Sequence, residues 1–400
     1  MTYTKGFMSN SVHGFQCTMG ACEDNCCRNT TWSITVDPET YKKYANLGGE
    51  LGEHILSCIE ETGEGAYKFK EFDHGHCPLL TDEGLCLIHR DLGEGYLCHT
   101  CTTYPRIWSP FNGYAEHWLS LSCPDVIRHV LYKKKKITFI EFPMSPCSFP
   151  DPNVSFPAEK FQIRQFLVEI AQYRKFSLKE KLIFSGLFMR SLSKITVDDN
   201  YSKSIADAIS AYRSSMRTAG LLEKLLSDLG AIHIDNRSQI LITLADVAAN
   251  CALPPKKIPE GIKNTEYYKL MTEFHNDAVE KRLDNYLADA FDRLIVPYVN
   301  ANRYVFENYL AYSLVSTKFL ADTDDFAKAY AGFAGEFLAM FAYTAGLFHA
   351  NETLNDDEMI IGMYLYHRKI SHSVAVRKAL ADAFSDNLLP LLFCALGGIN

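Results

Sequence analysis

The segment CTMGACEDNCC, residues 17–27, is the most informative part of the sequence for the type of fold, because it places four cysteines in one short stretch. Six more follow by residue 123, and only three of the thirteen cysteines in the 400-residue chain lie beyond that point. The N-terminus MTYTKGFMSNSVHGF has no apolar run of signal-peptide length, so we expect a cytoplasmic protein with reduced thiols. Clustered thiols in that compartment bind metal more often than they form disulfides.

The overall composition is that of an ordinary globular protein, with 47% hydrophobic and 22% charged residues. A net charge of -8 argues against a dedicated nucleic-acid binder, which is normally basic, and we expect no nucleic-acid partner. The stretch from Ala329 to Ala350 is apolar for about the length of a bilayer span, but Glu336 lies near its middle. A central carboxylate is costly in lipid, so we expect a buried core helix and no membrane partner.

The pattern changes beyond the Pro-rich stretch at residues 143–157. Apolar residues then recur at three- and four-residue spacing, which is typical of amphipathic helices. The predicted helices span 161–176, 178–192, 204–230, 265–292, 298–320, 324–349, 356–370 and 373–386. The sequence therefore predicts a mainly α fold, with a small irregular Cys-rich metal- or cluster-binding module over residues 1–150 and an all-α helical domain over 151–400.

Nine cysteines are candidate metal ligands because short spacings place two thiolates on one turn, while long gaps bring ligands from separate loops to one centre. They are Cys17, Cys22, Cys26, Cys27, Cys77, Cys86, Cys98, Cys101 and Cys123. Zinc and iron–sulfur sites both take four thiolates, so the spacing leaves both open. It also leaves open one centre with spare thiols or two sites. The remaining cysteines, at 58, 147, 251 and 394, are expected to be ordinary core or surface residues.

Six blocks of the sequence together resemble the bacterial flagellin lysine-N-methylase family. They are CTMGACEDNCC (17–27), CPLLTDEGLCLIH (77–89), LCHTCTTYPR (97–106), SLSCP (120–124), ENYL (307–310) and YHRKISH (366–372). The cysteine blocks are also similar to those of small zinc- or iron-chelating proteins. The resemblance implies an enzyme that moves methyl groups from S-adenosylmethionine to lysine side chains of flagellin, its protein partner, and that holds a [4Fe–4S] cluster, with zinc as the alternative.

Polar and aromatic residues within and beside these blocks are the predicted catalytic and donor-binding residues. Tyr104, Arg106 and His372 are the predicted catalytic residues, and Arg106 is suited to hold a carboxylate as a bidentate pair. Arg368 and His372 are four residues apart and so share one helix face. The residues predicted to bind the methyl donor are Arg368, Glu307, Asn308 and Trp108. Trp108 is included because an aromatic face attracts a sulfonium cation.

Two other classes of function compete with this interpretation. In one, the chain is a non-enzymatic zinc- or iron-binding interaction protein. Its thiol module only stabilises a small domain, while the helices bind a partner. In the other, it is a redox protein with a reversible one-electron couple. Binding of S-adenosylmethionine separates the enzyme from both alternatives, because only the enzyme is stabilised by the methyl donor.

Overall fold

A computed structural model describes residues 2–28, 34–70, 76–111, 113–148, 157–218, 220–231, 237–251, 265–317, 319–320, 324–369 and 373–400. Within them the strands all precede residue 149, and long helices fill the remainder. The fold is a mainly α body with a small irregular N-terminal module, as predicted from the sequence. The boundary near residue 150 stays a prediction.

The described strands and helices follow one another in chain order. The strands are β1 (Thr2–Ser9), β2 (Thr35–Val36), β3 (Ile59–Gly63), β4 (Ala66–Phe69), β5 (Arg106–Phe111), β6 (Tyr114–Leu119) and β7 (Phe139–Ser148). The shorter helices of the first part are α1 (Pro38–Ala45), α2 (Gly49–Ser57), α3 (Leu87–Leu92), α4 (His99–Thr103) and α5 (Pro124–Leu131). The body contains α6 (Ala158–Ala171), α7 (Leu178–Leu192), α8 (Tyr201–Ser215), α9 (Leu221–Gly230), α10 (Arg237–Cys251), α11 (Thr265–Val279), α12 (Leu287–Ala290), α13 (Val296–Ala301), α14 (Arg303–Ser316), α15 (Phe326–Leu347), α16 (Asp356–Lys369), α17 (Val374–Phe384) and α18 (Leu388–Leu396).

A four-stranded sheet with the order β5-β6-β1-β7 packs against the helical body. Strand β1 runs parallel to β6 and antiparallel to β7, so it joins distant parts of the N-terminal region. Its Phe7 and the Trp118 of β6 belong to the same large hydrophobic core as the helices. Glu116 of β6 is fully buried and accepts a 3.0 Å hydrogen bond from Arg164 of α6, which fixes the sheet on that helix.

A second, smaller hydrophobic core lies under the three-stranded sheet β2-β4-β3. The start of helix α1 is fixed by its first residues, because the Asp37 carboxylate accepts the Thr40 N–H at 2.9 Å and Pro38 occupies the first turn. From α1 the fully buried Tyr44 donates a 2.7 Å hydrogen bond to the Tyr96 carbonyl oxygen. This core contains several cysteines.

Helix α15 forms the centre of the body and is buried along nearly its whole length. Its small residues allow close packing: a Cβ at Gly335 would lie 2.9 Å from the Leu380 side chain of α17. The buried Glu336 pairs with Arg377 at 3.0 Å, as expected for a carboxylate inside a protein core. Among the described residues no single helix is both long and apolar enough to cross a bilayer, and one bent helix pair, Ala375–Phe384 with Leu388–Leu396, meets that criterion only jointly.

The helix predicted over 204–230 is instead two helices, α8 and α9. Helix α8 ends at Ser215, and Gly220, which precedes α9, has a φ of 81°, a left-handed conformation that a continuous helix does not contain. Helix α10 and the C-terminal helix α18 were not predicted. The helix predicted over 265–292 stops after Val279, where Lys281 has a φ of 58°.

Candidate functional site

Five of the predicted ligand cysteines lie in or against the smaller core, and Cys26 is hydrogen-bonded to one of them, Cys27; we call these six cysteines the six-thiol group. They are Cys26, Cys27, Cys77, Cys86, Cys98 and Cys101. Backbone pairing draws their loops together: the Cys77 N–H donates to the Cys27 carbonyl at 2.6 Å, and Leu80 forms a bridge with Cys86. The described cysteines are all free thiols, with no disulfide among them.

The six-thiol group contains two hydrogen-bonded thiol pairs. The Cys27 thiol lowers the pKa of Cys26 to about 7, against the opposing effect of burial. Cys101 lowers the pKa of Cys98 in the same way. Burial raises the pKa of Cys77 to about 12, and charged neighbouring thiols add to that rise. Cys26 and Cys98 are therefore shifted toward the thiolate form, which is the form that binds metal.

The chemistry of this donor set fits a thiolate-bound zinc or iron–sulfur centre. Six free, largely buried sulfurs from four separate segments exceed the four that either centre requires. Within the described part of the chain, no three Cys, His, Asp or Glu side chains stand in an arrangement that would already hold a metal ion. Four of the six thiols instead interact as two hydrogen-bonded pairs, Cys26 with Cys27 and Cys98 with Cys101.

The other three predicted ligands lie outside the six-thiol group. Cys17 is exposed. Cys22 and Cys123 are buried near each other, and burial raises the pKa of each to about 12, so both are neutral thiols at neutral pH. Cys123 also precedes α5 and belongs to the larger core. The structure thus does not bring all nine cysteines to one place.

Arg368 links the loop of the first cysteine block to the helical body. Its guanidinium donates to the Asp24 carboxylate at 2.7 Å and to the Asp24 carbonyl oxygen at 2.8 Å. A third hydrogen bond runs to the Ser122 carbonyl oxygen at 3.0 Å. Tyr268 of α11 donates to the same Asp24 carboxylate at 2.8 Å. The Asp24 side chain is completely buried and that of Arg368 is 2% exposed, so this is an ion pair inside the protein.

Two further tyrosines border this ion pair. The guanidinium of Arg368 lies 4.8 Å from the centre of the Tyr364 ring, one turn earlier in α16. The Tyr104 hydroxyl is 3.1 Å from the Ser122 hydroxyl, and burial raises the Tyr104 pKa well above its ordinary value, although Arg368 opposes the rise. We call Asp24, Tyr104, Ser122, Tyr268, Tyr364 and Arg368 the junction. Two of its members, Tyr104 and Arg368, were predicted as site residues.

Arg106 and Trp108 lie on β5, the edge strand of the four-stranded sheet. The Arg106 guanidinium is 5.6 Å from the Phe15 ring and 3.5 Å from that residue's carbonyl oxygen. Trp108 is 38% exposed and stacks on His117 at 4.1 Å. Burial, helped by the charge of Arg106, lowers the pKa of His117 to about 4.

Glu307 and Asn308 make contacts within the body, and the junction does not include them. Glu307 pairs with the buried Lys181 and, at 2.9 Å, with Arg303. The Asn308 amide donates to the carbonyl oxygens of Leu131 at 3.0 Å and Lys133 at 2.8 Å, where α5 ends. Roles for both in donor binding stay predictions. His372 lies outside the described residues.

Sequence reasoning did not identify four members of the junction. Asp24 stands between Cys22 and Cys26 in the first block, and an acidic residue inside a thiol motif was a visible signal. Tyr364 is four residues before Arg368, which places both on one helix face. Ser122 lies in the fourth block, SLSCP, but no argument singled it out. Nothing in the sequence pointed to Tyr268, because only the tertiary fold brings it to this point.

Comparison with known proteins gives consistent matches. A family model described as the FliB lysine N-methylase C-terminal domain matches residues 164–396. Proteins named lysine-N-methylase from Salmonella typhimurium and Salmonella choleraesuis are 21% and 22% identical over 379 residues, and each match covers 92% of both chains. A flagellar biosynthetic protein FliU from Salmonella muenchen is 31% identical over 125 residues, which cover 30% of this chain and 73% of that protein. No solved structure matches.

Proposed function

The chain belongs to the FliB lysine N-methylase family, and from that premise we propose that it transfers methyl groups from S-adenosylmethionine to lysine side chains of flagellin. One observation in the fold supports a site at the junction. Arg368 of the sixth block contacts Asp24 of the first block and Ser122 of the fourth, beside Tyr104 of the third. Four blocks distant in sequence therefore meet at one buried point, next to the six-thiol group.

The reaction requires a neutral lysine amine. The amine lone pair attacks the methyl carbon, the bond from that carbon to the sulfonium sulfur breaks, S-adenosylhomocysteine leaves, and one proton is lost from nitrogen. A lysine has a reference pKa near 10.4, so a partly apolar pocket must favour its uncharged form. Burial keeps the Tyr104 hydroxyl protonated, so we assign it the role of hydrogen-bond donor and not of base.

We further propose that four cysteines of the six-thiol group hold a [4Fe–4S] cluster. A cluster bound there supplies a metal–thiolate cross-link between loops and a one-electron couple. The residues themselves organise the donor set: Cys26 and Cys98, with lowered pKa values, are the first expected ligands. Asp24 and Arg368 hold the segment that carries Cys26 against the body.

An assay with flagellin monomers and S-adenosylmethionine tests the proposed activity. The chain should add mass to flagellin in steps of one methyl group, and the methyl donor alone should raise the melting temperature of the chain. Tyr104→Phe removes only the hydroxyl at the junction and should lower the rate about tenfold or more.

Tyr212→Phe is the matched control, because it also removes one partly buried hydroxyl, bonded to the Leu187 carbonyl oxygen at 3.2 Å, but in the body. It should leave the rate unchanged. Flagellin that gains no mass with the wild-type chain, prepared without oxygen, would exclude the activity. Equal rates for the two variants would remove the junction from the site.

A further inference from the structure

A cleft of about 750 Å³ opens in the helical body between α11, α13 and the start of α16. Its volume is within the range of small-molecule and side-chain binding sites, roughly 300–1,000 Å³. Its walls combine aromatic and aliphatic groups with carboxylates. They include Tyr267, Tyr298, Leu294, Leu354, Asp356 and Asp357. None of the six sequence blocks contributes a residue to the described lining of this cleft.

The cleft adjoins the junction through two connections. Tyr267 in its wall is followed by Tyr268, whose hydroxyl donates to Asp24. On the other side, Asp357 accepts a 2.9 Å hydrogen bond from Arg128, which also donates to Glu23 at 2.6 Å. Both connections end at the first cysteine block, so a ligand in the cleft would lie beside the proposed site.

The electrostatics of the cleft favour a cation. Burial first, and then the carboxylates of Glu266, Glu358, Asp357 and Glu23, raise the pKa of Tyr267. The Asp357 side chain is 72% exposed and so faces solvent at the cleft edge. An ammonium group placed here would meet tyrosine rings and two carboxylates, that of Asp356, which accepts a 2.6 Å hydrogen bond from Tyr298, and that of Asp357, which also pairs with Arg128. Both kinds of group attract a cation.

The cationic side chain in the described lining, that of Arg293, already has hydrogen-bond and ion-pair partners. Arg293 donates to the carbonyl oxygens of His349, at 2.9 Å, and Asn351, and it pairs with Asp289 at 3.3 Å. S-Adenosylmethionine carries a carboxylate as well as its sulfonium, and that carboxylate would need a basic partner. A lysine side chain needs only an apolar wall for its stem and an acidic end for its ammonium.

We propose that this cleft binds a protonated lysine of the protein substrate, a second lysine near the one that is methylated. The proposal rests on the proposed function and names how its substrate is recognised. The bound lysine is distinct from the methyl acceptor because carboxylates stabilise the charged ammonium, whereas methyl transfer requires the neutral amine. The cleft therefore selects segments with two lysines close together.

Direct binding tests the cleft without any methyl transfer. A fluorescein-labelled heptapeptide with two lysines, and the same peptide with both lysines acetylated, are titrated with the full chain by fluorescence polarisation. The lysine peptide should bind at least about tenfold more tightly than the acetylated peptide, and added salt should weaken its binding. Equal binding of the two peptides would overturn the proposal.

Substitutions then locate the binding to the cleft. Asp356→Asn with Asp357→Asn should weaken lysine-peptide binding about tenfold, and Tyr267→Leu about threefold. Asp207→Asn is the control, because it removes an exposed carboxylate that pairs with Lys203 in α8. An equal effect of the control and the cleft variants would overturn the assignment.

Kinetics separate this inference from the proposed function. In the flagellin assay the two-Asn variant should raise the KM for flagellin and leave the KM for S-adenosylmethionine unchanged. A rise only in the second KM would overturn the inference in favour of the methyl donor, while the methyltransferase activity would stand. Lysine-dependent peptide binding by a chain that never methylates flagellin would support the cleft and exclude the proposed function.

Discussion

The two hydrophobic cores of this chain are built from different materials. Three of the eleven buried residues in the smaller core are cysteines, and three more cysteines pack against it. The larger core is filled by long aromatic and aliphatic side chains, with α15 at its centre. Small cores supply little apolar burial and are commonly stapled by metals or disulfides. The difference indicates that the smaller core depends on thiol chemistry, whereas the body is stabilised by packing.

The largest expected effect comes from breaking the ion pair that links the first cysteine block to the helical body. Arg368→Met leaves the buried Asp24 carboxylate without its guanidinium partner, and the free energy of unfolding should fall by about 3–5 kcal/mol. Denaturant unfolding followed by tryptophan fluorescence and by circular dichroism measures the loss. We expect the two probes to give separate transitions in the variant and one transition in the wild-type chain.

A double variant and a surface control sharpen this test. Adding Asp24→Asn to Arg368→Met removes the unpaired charge and should restore part of the lost stability. Lys203→Met breaks an exposed pair, with Lys203 76% exposed, and should cost less than about 1 kcal/mol. If Arg368→Met lowers the free energy of unfolding no more than Lys203→Met does, the buried ion pair does not hold the first cysteine block against the helical body.

A pH-dependent effect of intermediate size is expected in the sheet that packs on the larger core. The pKa of His117 falls from 6.5 to about 4 on folding because its ring is partly buried. The unfolded chain therefore binds a proton that the folded chain does not, and stability is lost as pH falls through this window. The loss should reach about 2 kcal/mol after allowance for partial exposure.

Unfolding midpoints across that pH range measure the effect of His117. His117→Phe should remove this part of the pH dependence, whereas His54→Gln, at an exposed position in α2, should retain it. A pH profile of the His117→Phe chain identical to that of the wild-type chain would show that the ring is not a source of acid sensitivity.

The smallest expected effect lies in the smaller core. Tyr44→Phe removes the hydroxyl that donates to the Tyr96 carbonyl oxygen and should cost about 1 kcal/mol. Tyr41→Phe is a suitable comparison, because Tyr41 stacks on Tyr67 at 3.7 Å through its ring, which the substitution keeps. Chemical denaturation that finds equal costs would contradict the importance of this hydrogen bond.

The helical body was largely predictable because apolar periodicity is a local signal. Helices α7, α15 and α16 lie where the spacing placed them. The break at Gly220 was missed because both flanking segments keep a helical pattern, and the left-handed φ is a property of one residue. The four-stranded sheet was missed for a different reason. Strand β1 pairs with β6 and β7, more than 100 residues away, and no local pattern encodes such a pairing.

The family could be predicted from the sequence, whereas the distribution of the cysteines over the fold could not. The sequence blocks indicated the family that the comparisons then matched, over 92% of the chain. The separation of Cys22 and Cys123 from the six-thiol group follows from tertiary packing, since spacing cannot tell which loops converge. The role of Arg368 in binding the methyl donor stays a prediction, and the structure adds that its guanidinium donates to Asp24, a residue of the first cysteine block.

Metal and acid-labile sulfide analysis of the chain purified without oxygen tests the proposed cluster most directly. We expect iron and sulfide in equal amounts, about four of each per chain. Both should be lost in the variant Cys98→Ser with Cys101→Ser and kept in Cys58→Ser, which alters a buried thiol of the same core outside the six-thiol group. A wild-type chain that carries neither iron nor sulfide, or equal contents in the two variants, would contradict the proposed cluster.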